Sequence, residues 1–303
     1  MFIVTNRKRL PGSLTFSGKR RSDNKVSYLS IVEGGLVEGS ALFKKSLFEA
    51  TSNRSATIVI AIHGYNTSWE DSVRWFRVVD DFITSRLDGG ITVGFSWPSD
   101  GDPVAYLSDR QEARDSAQSL AAAIMAGIGM IKRECQTEIV VVSYSMGNYL
   151  LAEATSTVSQ LLGKPASYPV FSEIILVAAD LDDNALEPGN VGSEIPVFAR
   201  RVTVYHSAHD KALAASAAKR LGIQGGRLGR RGPANVGVLP QNVMAVDCST
   251  LTVGEGNVHS SYFHVSGLLD DIVSTLRSVD RDHVSNRNKV GDRRYSLTKK
   301  DES

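Results

Sequence analysis

Ser145 stands in the stretch TEIVVVSYSMGNYLLAEA, where a run of branched apolar residues ends in Ser-Tyr-Ser-Met-Gly and helical spacing begins at once. A serine on a sharp strand-to-helix turn presents its hydroxyl at the end of a sheet. The residues two before and two after it must then be small, so that strand and helix can approach. Gly147 meets the second requirement, and Ser143, one hydroxymethyl larger than glycine, stands at the first. The competing reading of Ser145 is a helix cap, a position that serine favours.

A serine hydroxyl is a weak nucleophile until a base takes its proton, and the base needs an acid to orient it. On doubly wound sheets that use this chemistry the chain order is serine, acid, histidine, each on a connection after a strand. VYHSAHDKA places Asp210 just beyond a penultimate strand, and we take it as the acid. ILVAADLDD places Asp180 beyond the preceding strand, which makes it the reserve. GNVHSSYFHVSG carries two histidines between the last strand and the last helix. His259 lies in a Gly- and Asn-rich loop free enough to lean over the sheet edge and is taken as the base. His264, close to the helix start, is the reserve.

The tetrahedral intermediate of acyl transfer needs two N–H donors aimed at one point. Met146, directly after the serine and at a helix N-terminus, supplies one. AIHGYNTSWED supplies the other, since Gly64 lets the backbone turn so that the Tyr65 N–H faces the site. His63, Gly64, Tyr144 and Trp97 are candidates for the pocket wall, with core packing the alternative for Trp97. These groups need no metal and no organic cofactor.

The elements that position them follow from the hydrophobic pattern. ATIVIAI, ITVGFSW, TEIVVVS, EIILVAA, RRVTVYHS and NVMAVDCS are short apolar runs suited to strands buried on both faces. Between them lie longer segments with apolar residues three and four apart, beginning at SWEDSVRW, SDRQEARD and GNYLLAEA, and SGLLDDIVSTLRSV supplies a last helix. Alternation of strand and helix predicts an α/β fold with a doubly wound, mostly parallel sheet and helices on both faces. MFIVTN and KVSYLSIVE read as opening strands, and LVEGSALFKKSLFEA as a helix, all within residues 1–50. Residues 1–279 are expected to form one domain, and residues 280–303 a disordered polar tail, because they lack apolar periodicity. Only LDDNALEPGNVGSEIPVFA is free to form a flap, so the lid is expected to be small or absent and the site fairly open.

A chain of 303 residues with 42% hydrophobic and 22% charged residues can bury a sizeable core. With a net charge of +1, no global field argues for nucleic acid or an anionic membrane as partner, and no nucleic-acid partner is expected. Two cysteines, Cys135 and Cys248, are too few for a disulfide framework and suit a reducing compartment. The opening MFIVTNRKRL does not read as a secretory signal, and no apolar run has transmembrane length. The expected setting is the cytosol, with no stable membrane insertion.

With these residues in place the chain resembles a family of mostly bacterial α/β-hydrolases of unknown function, loosely described as esterase- or lipase-like. The resemblance spans roughly residues 56 to 277, with an echo in FIVTNRK. It rests on HGYNTSWEDSVRW, FSWPSDG with Tyr106 and Asp109 following, SMGNYLL, AADLD, SAHDKAL, RLG, and HSSYF ahead of LLDDI. It implies Ser145 as nucleophile, Asp210 as acid and a histidine directly before a Ser-Tyr-Phe string. Here HSSYF holds one extra serine, and counting back from Asp271 also reaches His259. Two departures are Ser143 at a glycine-like position and Tyr144 where a histidine is common.

The favoured function is therefore a serine hydrolase cleaving a small-molecule ester or related acyl bond. The alternative is a non-catalytic binding module that keeps the fold. A third reading, metal-assisted hydrolysis, starts from His206, His209 and Asp210 lying within five residues. The basic loop KRLGIQGGRLGRRGP reads as a solvated surface loop, with an anionic ligand as the alternative.

Overall fold

The structure is a computed structural model of the whole chain. It describes residues 1–23, 25–33, 35–52, 55–99, 106–131, 137–162, 169–219 and 226–298. Its strands in chain order are β1 (Phe2–Thr5), β2 (Arg7–Arg9), β3 (Phe16–Arg20), β4 (Ser27–Val32), β5 (Gly35–Glu38), β6 (Ala56–Ile62), β7 (Gly90–Ser96), β8 (Thr137–Tyr144), β9 (Phe171–Val177), β10 (Ala199–His206), β11 (Val243–Asp247), β12 (Arg287–Gly291) and β13 (Arg294–Leu297). The helices are α1 (Ser40–Thr51), α2 (Trp69–Phe82), α3 (Tyr106–Ile131), α4 (Gly147–Leu162), α5 (Lys211–Lys219), α6 (Leu228–Arg231), α7 (Ser249–Thr252), α8 (Val258–Ser261) and α9 (Ser266–Leu276).

Among the described residues one sheet runs in the order β12-β13-β11-β10-β9-β8-β6-β7-β1-β4-β5. From β13 to β1 every neighbouring pair is parallel, and antiparallel strands appear only at the two edges. Alternate residues of each central strand enter two separate cores, as the pleat requires. Ile58, Ile62 and Val141 pack with Phe43 of α1, Leu120 of α3 and Leu151 of α4 on one face. Val59, Ala61, Val140 and Val142 pack with Phe76 of α2 and Leu268 and Ile272 of α9 on the other. Strands covered on both sides explain why the sequence shows continuous apolar runs there rather than alternation.

Two expectations need correction. Residues 287–297 are not a disordered tail: β12 and β13 extend the sheet beyond β11, with Tyr295 and Leu297 buried. Much of their cohesion is polar, which hides it from a hydrophobicity reading. The fully buried Arg293 donates to the carbonyls of Val236, Leu239, Pro240 and Val243. Arg287 forms a buried pair with Asp271 of α9 at 2.6 Å. Second, the start of LVEGSALFKKSLFEA is strand, since Leu36–Glu38 belong to β5, and the helix begins at Ser40. Between β1 and β4 the chain also forms the hairpin β2–β3, pinned by Phe16 against Trp69 with ring centroids 4.6 Å apart.

Cys248 is a buried free thiol, and Cys135 lies outside the described residues. The basic loop falls partly outside them as well. Its later part carries Arg227, whose guanidinium is buried. No helix among the described residues is long and apolar enough to cross a membrane.

Candidate active site

The site lies at the C-terminal ends of the parallel strands, where connections from several strands converge. β8 ends at Tyr144 and α4 begins at Gly147, so the chain reverses within two residues. Ser145 takes a positive φ of 53°, a left-handed conformation that a non-glycine residue adopts only when its surroundings hold it there. Its N–H donates to the Val177 carbonyl at 3.0 Å, and its carbonyl accepts from the N–H groups of Asn148 and Asp180, each at 3.1 Å. The Asn148 amide also donates to the carbonyls of Ser145 and Val177. The small-residue requirement is visible as distances. A Cβ on Gly147 would sit 2.5 Å from the His63 carbonyl oxygen and 2.8 Å from that of Ile62. Ser143 fits, fully buried, with its hydroxyl unpartnered among the described residues.

The side chains of Ser145, His259 and Asp210 form one chain of hydrogen bonds. His259 Nε2 lies 2.9 Å from Ser145 Oγ, and His259 Nδ1 lies 2.7 Å from Asp210 Oδ2. Asp210 is fully buried just before α5, where its other oxygen accepts the Leu213 N–H at 3.0 Å. One carboxylate thus caps a helix and holds the imidazole, so its position is fixed from two sides. His259 belongs to the single-turn helix α8 rather than to an irregular loop. The Tyr144 hydroxyl, pushed up in pKa by burial, donates to the His259 carbonyl at 2.5 Å. The Tyr144 ring packs against those of His259, Trp75 and Phe263 at 5.2, 6.0 and 5.5 Å. Tyr144, read from sequence as pocket wall, therefore braces the histidine turn.

Met146 is fully buried immediately before α4, among the first-turn N–H groups that a helix leaves without intrahelical partners. The connection after β6 runs alongside: a Cβ on Gly64 would meet Ser145 Cβ at 3.0 Å. The Gly64 carbonyl is held by His63 Nδ1 at 2.7 Å and by the Thr67 hydroxyl at 3.2 Å. In a trans peptide the Tyr65 N–H points opposite to that carbonyl.

His63 and Trp97 do not wall a pocket. Both are buried, with rings stacked 5.2 Å apart, and the Trp97 indole N–H donates to the His63 carbonyl at 2.9 Å. His63 Nε2 accepts the Trp97 backbone N–H at 3.1 Å, so Nδ1 carries the proton of a neutral ring. Burial, followed by the nearby Arg7 charge, lowers its pKa to about 3.

The reserve residues lie apart from this chain of hydrogen bonds. Asp180 accepts from the Tyr106 hydroxyl at 2.9 Å and from Ser216 at 2.8 Å, and pairs with buried Arg227 at 3.2 Å. His264 is exposed. His206 is buried, with its ring 2.7 Å from the position of a Gly232 Cβ, and His209 is exposed. Among the described residues no group of three His, Cys, Asp or Glu gathers as a metal site. Ser145 itself is buried, only 3% exposed. Sequence reasoning passed over Asn148 and the helix-capping role of Asp210, although SMGNYLL and SAHDKAL carry both.

Residues 40–277 match the model of a family described as "Alpha/beta hydrolase of unknown function (DUF900)". The uncharacterized protein alr1448 of Nostoc sp. is 22% identical over an alignment covering 75% of each chain. Among solved structures, a cutinase-like protein from Cryptococcus sp. is similar at 14% identity and a TM-score of 0.40, over 75% of this chain and 97% of that one. Aspergillus fumigatus lipase B is similar at 14% identity and a TM-score of 0.43, over 78% of this chain and 57% of that one.

Proposed function

The chain belongs to this α/β-hydrolase family of unknown function, and from that premise we propose that it is a serine hydrolase of carboxylic esters or related acyl bonds. The observation that carries the proposal is the continuous contact from Ser145 Oγ through His259 to Asp210, at 2.9 and 2.7 Å. In this reading the Ser145 hydroxyl donates to His259 Nε2, and the His259 Nδ1–H donates to the Asp210 carboxylate. His259 takes the serine proton as Oγ attacks the acyl carbon. The Met146 and Tyr65 N–H groups then receive the negative charge that develops on the carbonyl oxygen.

Collapse of the tetrahedral intermediate expels the alcohol, which takes the proton from His259 and leaves an acyl-serine. Water, activated by the same histidine, releases the acid. Asp210 stabilises the imidazolium formed at each step and holds the productive tautomer. The α4 N-terminus beneath the oxyanion adds favourable charge.

Turnover of p-nitrophenyl acetate tests the reading. The wild type is expected to release p-nitrophenol, and Asp210→Asn to lower kcat by about a thousandfold or more. A folded wild type that turns over no ester contradicts the proposal and favours a binding module on the same fold.

A further inference from the structure

Three sequence-distant stretches that the proposed chemistry does not use meet behind the connection between β6 and α2. Asp109 of α3, fully buried, accepts the Asn66 N–H through Oδ2 at 3.1 Å. The same oxygen accepts the Ser99 hydroxyl. Ser99 Oγ in turn accepts the Thr67 N–H at 3.1 Å. Arg7 of β2, also fully buried, donates to the Thr67 carbonyl at 2.7 Å, to the Ser99 carbonyl at 3.3 Å and to the Ser96 hydroxyl at 2.9 Å.

These contacts fix the peptides directly after Tyr65. Asn66 sits at a positive φ of 54°, which a branched or bulky side chain would not adopt, and its N–H is the group that Asp109 holds. Once Asn66 and Thr67 are fixed, the Thr67 hydroxyl reaches back to the carbonyls of Gly64 and Tyr65 at 3.2 and 3.0 Å. The Gly64 carbonyl is thereby turned to one side and the Tyr65 N–H to the other. A carboxyl group and a guanidinium buried at a turn are costly unless hydrogen-bonded, so they favour the one backbone geometry that bonds them.

We propose that Asp109, Ser99 and Arg7 are positioning residues that hold the Gly64–Thr67 turn with the Tyr65 N–H aimed at the developing oxyanion. The inference rests on the serine-hydrolase reading above. These residues touch no reacting atom and act only through the turn. Losing a carboxylate or hydroxyl contact lets the turn relax by a fraction of an ångström to an ångström, which is enough to misplace a donor that works only at short range.

The test is steady-state kinetics on p-nitrophenyl acetate across pH, with thermal unfolding of each protein. Ser99→Ala and Asp109→Ala are expected to lower kcat about 10- to 100-fold, with KM within about twofold. The pH midpoint should not move, because His259 and Asp210 are untouched. Asp109→Asn keeps a side-chain oxygen for the Asn66 N–H and is expected to recover most of the rate. If Asp109→Ala does not fold, Ser99→Ala carries the same test with a smaller change. A folded Ser99→Ala or Asp109→Ala enzyme with unchanged kcat overturns the proposal, as does a loss that appears only in KM or as a shifted pH profile. In those cases wild-type turnover leaves the hydrolase reading intact. A wild type that neither turns over ester nor reacts with a fluorophosphonate removes both.

Discussion

Acid should unseat His63, and the size of the effect follows from its surroundings. The ring is buried, accepts the Trp97 N–H through Nε2 and bonds the Gly64 carbonyl through Nδ1. A protonated imidazole has no lone pair for Trp97 and would stand near the Arg7 charge. The folded chain therefore holds the His63 pKa at about 3, against 6.5 for the free side chain. The unfolded chain binds this proton more readily, so stability is complete above pH 6.5 and falls as pH drops toward 3. Integrating between those values gives a loss of about 2 kcal/mol at pH 5 and about 4 kcal/mol at pH 3, relative to pH 8.

Urea unfolding at a series of pH values, for wild type and for His63→Gln, isolates this contribution. Carboxylates and the buried His206, whose pKa is also lowered by burial, titrate in both proteins and cancel in the difference. The variant is expected to be less stable at pH 8 but to lose about 2 kcal/mol less than wild type between pH 8 and pH 5. Parallel stability curves for the two proteins over that range would refute the reasoning.

Other expectations test different parts of the scaffold. Gly147→Ala places a methyl 2.5 Å from the His63 carbonyl, and the shift this forces should cost about 1–3 kcal/mol and abolish turnover. Denaturation and ester assays check both. Tyr144→Phe removes the 2.5 Å bond to the His259 carbonyl but keeps the ring stacking. It should cost about 1 kcal/mol in unfolding free energy and reduce kcat by a smaller factor than Asp210→Asn does. Arg227→Met strips the buried Asp180 of its guanidinium, and a loss of about 3–5 kcal/mol in urea unfolding is expected, largely restored by adding Asp180→Asn.

The parts of the fold legible in the sequence are those written in buried apolar side chains. ATIVIAI is β6 residue for residue, and TEIVVVS lies within β8, because strands covered on both faces must be apolar throughout. The meeting of Ser145, His259 and Asp210 was legible for a different reason: each follows a strand, in the serine, acid, histidine order expected of a doubly wound sheet, and the structure brings the three into contact. What escaped is held by polar side chains bonding to backbone. β12 and β13 depend on Arg293 and four carbonyls, and RNKVG exposes most of its side chains as an edge strand should. The Gly64–Thr67 turn is bonded by Asp109, Ser99 and Arg7, whose meeting across the fold no local pattern announces. Trp97 was open between core and pocket in the sequence, and its stacking on His63 decides for core.

The central claim is that Ser145 is an activated nucleophile, and covalent labelling by a fluorophosphonate, with the modified peptide located by mass spectrometry, tests it most directly. The account predicts a single phosphonylated residue, Ser145, with labelling lost in Ser145→Ala, nearly lost in His259→Ala and retained in His264→Ala. A folded wild-type protein that takes up no label, or one labelled equally well after His259→Ala, would contradict it.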